Sequence, residues 1–319
     1  MNKLILALPI LLFLLLVNAC KNGSQASPET QEIVCEPVEI VRLDSIMAMP
    51  GYAATTDSAN APAVAALIEA VGAADENEYI SSRAFMIFGQ DTRTGLTDLS
   101  NVEKSLGVVK NHLDSFPDKV YGVVWPFRQT VMVGDSLVMV ALNHYLGPDY
   151  EGYSGLPIYQ KALKTPDRIV YDVAEAWVSS RFPYKNDMGV KVSNRMFYEG
   201  ALLLRIKEAT GVENEWELLG MTPEEWQTAK SAEADVWREL AARQLLFSDS
   251  PEVEMKLFDP APSTVLGNMV LPGRIGRFMG IRMVESYLAS HPGETPQSIL
   301  DSEVYNDRDV MRLSGYSPQ

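Results

Sequence analysis

The sequence predicts an α+β fold, with a small mixed sheet in the N-terminal half followed by a mainly helical C-terminal half. Runs rich in Val, Ile and Met, separated by turn residues, end before residue 145. Capped segments with helical periodicity fill most of the chain after residue 165. No Gly/Ser linker or internal repeat divides the two halves, so residues 32–319 read as a single globular domain.

The elements follow in order. "EIVCEPVEIVRLD" (32–44) has strand-like Val and Ile content, and "PAVAALIEAV" (62–71) reads as a short helix opened by Pro62. Ser100 and Glu103 have capping-box spacing, and Val102, Leu106, Val109 and Leu113 then mark one helical face. "KVYGVVW" (119–125) is a strand. It is followed by "RQTVMV" and "SLVMVALN" on either side of Gly134 and Asp135, a hairpin signal. The loop "HYLGPDYEGYSGLP" (144–157) concentrates Gly, Pro and Tyr. His144, Tyr145, Tyr150 and Tyr153 could line a groove there, or the tyrosines could pack the loop onto the core.

Thr165, Pro166 and Asp167 suit a helix start, and Val170, Val173, Ala174, Trp177 and Val178 share one face behind it. A long helix is expected from about Asp187 to Thr210, stopped by Gly211, and another from the capping residues Thr222, Pro223 and Glu225. The last strong helix is expected to open at Pro272. Its Gly273, Gly276 and Gly280 leave surface free of side chains for another backbone to approach.

The ends and the charge bear on compartment and partners. Asn2 and Lys3 precede the apolar run "LILALPILLFLLLV" (4–17), which is short and wrongly flanked for a stable membrane span. "VNAC" then places Ala19 directly before Cys20, as in the lipobox of bacterial lipoproteins; an uncleaved anchor or an ordinary signal peptide is the alternative. On this reading residues 1–19 are a lipoprotein signal peptide, Cys20 is lipidated, and 20–31 form a polar tether with a relaxed span of roughly 20 Å. Loss of residues 1–19 removes one lysine and no acid, taking the net charge from −15 to −16. That balance argues against nucleic acid and against a basic patch for anionic lipid headgroups. Cys35 is the only other cysteine, so a lipidated Cys20 leaves no disulfide pair within the chain.

Two acids lie on apolar helix faces. Glu199 is three residues after Met196 and four before Leu203, and Glu233 is seven residues from both Trp226 and Leu240. Such carboxylates could act as general acid and base, hold a metal, or sit in buried ion pairs. His112, His144 and His291 are far apart and none has HxxxH spacing. There is no GxSxG, P-loop or GxGxxG. Catalytic residues, metal ligands and cofactor are accordingly assigned as none. Arg274 and Arg277 open a helix whose dipole opposes them, so acidic partners are expected, with one or both reaching Glu199 or Glu233. Solvated surface charge is the alternative.

"ALNHYLGPDY" (141–150), "RFP" (181–183), "MFYEGALLL" (196–204), "AEADVW" (232–237), "LPGRIGRFMGIRMVESYL" (271–288) and the closing "SGYSP" together resemble the GldB-type gliding-motility lipoproteins of Bacteroidetes. The resemblance runs in order through nearly all of the chain after Cys20. It implies a place in the gliding-motility and type IX secretion machinery, an envelope protein as partner, and a periplasm-facing lipid anchor. "KNGSQ" after Cys20 lacks the acidic cluster of a surface-export signal.

The family is also distantly similar to zincin-type metallopeptidases, implying a zincin-like layout. In those enzymes an HExxH helix precedes a helix carrying a third ligand, often a glutamate before glycine. Glu199 and Gly200 match the second helix, whereas "DRIVYDVAEAWV" offers no histidine for the first. The expectation is a non-enzymatic, membrane-anchored accessory protein. A metallopeptidase-like hydrolase using Glu199 with Glu233 or His144, or a periplasmic peptide or glycan binding module, are the alternatives.

Overall fold

The computed structural model describes residues 35–135, 137–185 and 191–319. The lipobox, Cys20 and the tether lie outside them, as do residues 187–190 at the expected start of the long helix.

Four short strands build the main sheet: β1 (Glu39–Arg42), β2 (Lys119–Val123), β3 (Val131–Val133) and β4 (Val138–Ala141). Their order is β1-β2-β4-β3. β1 runs parallel to β2 and β2 parallel to β4, while β3 and β4 form an antiparallel hairpin across Gly134 and Asp135. A parallel neighbour cannot be reached by a tight turn. The chain between β1 and β2 therefore crosses over through helices α1 (Ala61–Val71), α2 (Arg83–Gly95) and α3 (Ser100–His112).

Strand alternation distributes side chains to two cores. Ile40, Val120, Val138 and Val140 face the larger one with α3 and the C-terminal helices. Val41, Val123, Met139 and Ala141 face a smaller one against α1 and α2. Every residue of β4 is buried, as a central strand covered on both faces requires.

The helical half comprises α4 (Arg168–Arg181), α5 (Val192–Thr210), the short α6 (Glu215–Leu219), α7 (Pro223–Ala242), a hairpin of β5 (Thr264–Leu266) and β6 (Met269–Leu271), and α8 (Ile275–Ser290). α5 is central: 14 of its 19 residues are buried, on all sides rather than along one stripe. It crosses α8 at two glycines. A Cβ on Gly200 would lie 2.0 Å from the Gly280 carbonyl oxygen, and one on Gly280 would lie 2.0 Å from that of Met196. Gly200 is thus required by helix crossing.

The α+β class and the placing of sheet and helices are those the sequence predicts, but several local signals resolve differently. Thr222 and Glu225 form the expected capping box. Ser100 does not cap α3, because the Glu103 carboxylate that would complete the box accepts the Ile40 N–H of β1 at 2.9 Å. Thr165 contributes only its carbonyl, 3.1 Å from the Arg168 N–H, and α4 starts at Arg168. The last helix starts at Ile275 rather than Pro272, since Met269–Leu271 pair as a strand and Arg274 adopts a left-handed conformation, φ +61°.

Candidate functional site

Glu199 and Arg277 face each other across the glycine crossing. The Arg277 Nε donates to Glu199 Oε2 at 3.0 Å, and its Nη2 donates to Glu175 Oε1 of α4 at 2.7 Å. Arg195, one turn before Glu199 on α5, lies 2.5 Å from the other oxygen, Oε1. Both oxygens of Glu199 are therefore held by guanidinium groups, with the carboxylate 5% and Arg277 7% exposed. Burial would push the Glu175 carboxyl up, but Arg277, with Arg168 and Arg274 beyond it, holds it below the ordinary carboxylate range. The same two acids keep Arg277 firmly charged although it sits in the first turn of α8, where the helix dipole opposes a cation.

Arg274 does not join this cluster. It reaches neither Glu199 nor Glu233; one nitrogen of its fork donates to the Leu219 carbonyl at the end of α6. Its backbone departs from the helical path expected from Pro272, which aims the side chain at α6 instead of α5. Glu233 has other partners: Arg282 Nε at 3.1 Å and the Tyr316 hydroxyl, which donates at 2.6 Å. The sequence-predicted set of Glu199, Glu233, Arg274 and Arg277 thus splits into separate contacts.

The 144–157 loop forms one wall of a cleft of about 1050 Å³. Tyr145 is buried and donates to Asp172 Oδ2 at 2.8 Å; Tyr153 donates to the Asn143 carbonyl at 2.6 Å. Both tyrosines are buried, pack the loop and lie among the residues lining the cleft. Tyr150 does not line it, since its hydroxyl is tied to Asp91 of α2 at 2.6 Å. His144 bridges the loop to two neighbours: Nε2 is 3.0 Å from the Phe127 carbonyl and Nδ1 is 2.9 Å from Lys164 Nζ. A carbonyl only accepts, so Nε2 carries the proton and Nδ1 accepts from the lysine. Burial, then Lys164, lowers the imidazole to about 4, so it is neutral at pH 7.

The cleft also holds groups that the sequence pattern did not single out. Arg168 donates to Asp172 Oδ1 at 2.9 Å and to the carbonyls of Glu217 and Leu218. Asn143 locks Trp125 by exchanging two hydrogen bonds with its main chain, at 2.8 and 3.0 Å. The pairs Arg168–Asp172 and Arg195–Glu199 were available from their i,i+4 spacing. Glu175 carries no comparable signal, because its partner is 102 residues away.

A metal implied by the resemblance to metallopeptidases finds no fitting donor set here. Glu175 of α4 and Glu199 of α5 both accept from the Arg277 guanidinium, which lies between them. Among the described residues no three His, Cys, Asp or Glu side chains converge in a way that could hold an ion. None of them forms a helix long and apolar enough to cross a membrane.

Comparison with known proteins gives one assignment. The family model described as "Gliding motility protein GldB" matches residues 30–318. No curated protein and no solved structure matches the chain significantly.

Proposed function

The chain belongs to the gliding motility protein GldB family, and from that premise we propose that it is a non-enzymatic accessory lipoprotein of the gliding-motility and type IX secretion machinery. It is anchored through a lipidated Cys20, faces the periplasm, and acts by binding another protein of the cell envelope. One observation carries the non-enzymatic part: both oxygens of Glu199, the acid best placed for chemistry, are engaged by Arg195 and Arg277. A general base or metal ligand needs a lone pair facing substrate or ion, and each oxygen of this buried carboxylate already faces a fixed cation.

In-cell cross-linking followed by gentle solubilisation and capture through a C-terminal tag tests the reading. Near-stoichiometric recovery of motility or secretion components is expected. A protein recovered alone and monomeric refutes the partner assignment, and stoichiometric zinc in material purified without chelator refutes the non-enzymatic one. Replacing Cys20 with Ala should release the protein from membranes if the lipid is its anchor.

A further inference from the structure

The cleft beside the 144–157 loop carries a charge unlike that of the whole chain. Arg128, Lys164, Arg168, Arg274 and Arg277 line it against two carboxylates, Asp172 and Glu175, in a protein of net charge −15. Arg168 and Arg277 are neutralised by those acids and by Glu199. Arg274 has no acidic partner within reach among the described residues. Only Nη1 has an acceptor, the Leu219 carbonyl, while Nε and Nη2 have none and neither is fully buried. Burial and the neighbouring Arg277 and Arg168 make its charge costly, lowering it to about 10. It is still cationic at neutral pH.

The chain goes out of its way to place this group. Arg274 sits at φ +61°, a left-handed conformation that costs a non-glycine residue about 1 kcal/mol. Gly220 leaves the room its fork occupies: a Cβ there would lie 2.9 Å from Arg274 Nη1. The cleft also has aromatic and aliphatic lining, with Trp125, Phe127, Leu156 and Leu163 among its residues.

We propose that this cleft binds a carboxylate group carried on an apolar body, with the Arg274 fork on its two oxygens and Lys164 adding a second positive charge. An open fork matches the planar geometry and single charge of a carboxylate. With Arg168 and Arg277 already paired, one open fork and one lysine suit a single negative charge better than a doubly charged phosphate, and the apolar lining receives the remainder of the ligand. The site is independent of membership in the motility machinery, because it rests on the cleft alone.

Titration calorimetry on the full chain in detergent tests it, with four probes. N-acetylphenylalanine represents a chain-end carboxylate, N-acetylglutamate amide a side-chain carboxylate, N-acetylphenylalanine amide the neutral control, and inorganic phosphate the competing anion. One of the two acids should bind at least tenfold tighter than the neutral amide and than phosphate, and the tighter of the two identifies the source of the carboxylate. Arg274→Gly, which suits the left-handed backbone, should melt within a few degrees of wild type yet bind the acid at least tenfold more weakly. Lys164→Gln should weaken it severalfold. Equal binding of the tighter acid and the amide, phosphate binding as tightly as the tighter acid, no binding of either acid at 10 mM, or unchanged affinity in a folded Arg274→Gly or Lys164→Gln protein overturns the proposal.

Discussion

Replacing Arg277 with Met keeps much of the side-chain volume and removes the cation shared by Glu175 and Glu199. Breaking a buried ion pair by deleting one partner costs about 3–5 kcal/mol, because the remaining charge has lost its compensation. Two features reduce that here: Arg195 still holds Glu199, and the Glu175 side chain is 31% exposed toward the cleft. The expected loss is about 2–3 kcal/mol, or roughly 4–6 °C in melting temperature for a domain of this size.

The pH dependence is the sharper test. In the native protein the Glu175 carboxyl is held below its unfolded value, so its stabilisation is present above pH about 4.3 and is lost as the pH falls through the folded value. Without Arg277 the burial that raises this carboxyl loses its main opposition, and ionisation then works against folding. The gap between variant and native protein should therefore narrow as the pH falls from 7 toward 4. Urea unfolding of both proteins at a series of pH values measures it. A difference below about 0.5 kcal/mol at pH 7, or a gap that widens on acidification, refutes the pairing as the source of stability.

Other sites give further expectations. Gly280→Ala places a methyl against the Met196 carbonyl oxygen and must push α5 and α8 apart, so thermal unfolding should show a loss of about 3 kcal/mol or more. Thr222→Ala removes the hydroxyl that accepts the Glu225 N–H, and should cost about 1 kcal/mol in urea unfolding. His144 is lowered to about 4 against 6.5 when unfolded, so it favours folding above pH 6.5 and that contribution fades between 6.5 and 4. His144→Gln should lose less stability than the native protein over that interval, as urea midpoints at pH 7 and 4.5 would show.

The layout was legible because sheet and helices are set by patterns local in sequence. The hairpin at Gly134 and the capping box at Thr222 each need only a few neighbouring residues. The box at Ser100 failed for a reason no local pattern contains: Glu103 serves the N–H of Ile40, 63 residues earlier, which fixes β1 onto α3. Glu199 was recognisable as an acid on an apolar face. Its partner could be narrowed only to the arginines near residue 275, because the choice between Arg274 and Arg277 depends on where α8 begins. Pairing of Met269–Leu271 as a strand delays that start and turns Arg274 away. The charged wall of the cleft was invisible for a similar reason, since α4, the turn before α8 and α8 itself contribute one arginine fork at a time.

Arg277 also decides how the protein should respond to metal removal. A divalent ion between two helices stabilises only while it is bound, and a chelator then unfolds or loosens the site. The guanidinium between Glu175 and Glu199 supplies fixed positive charge on the chain itself and engages both acids, which hold it firmly protonated. The crossing of α5 and α8 is closed by Gly200 and Gly280 whether or not ions are available. Dialysis against EDTA should accordingly leave the melting temperature within about 1 °C, and added zinc should not raise it by the several degrees that tight binding to the native state produces. A large shift in either direction would mean that a metal site contributes to the fold, and that Glu199 is less fully committed to its arginines than their geometry indicates.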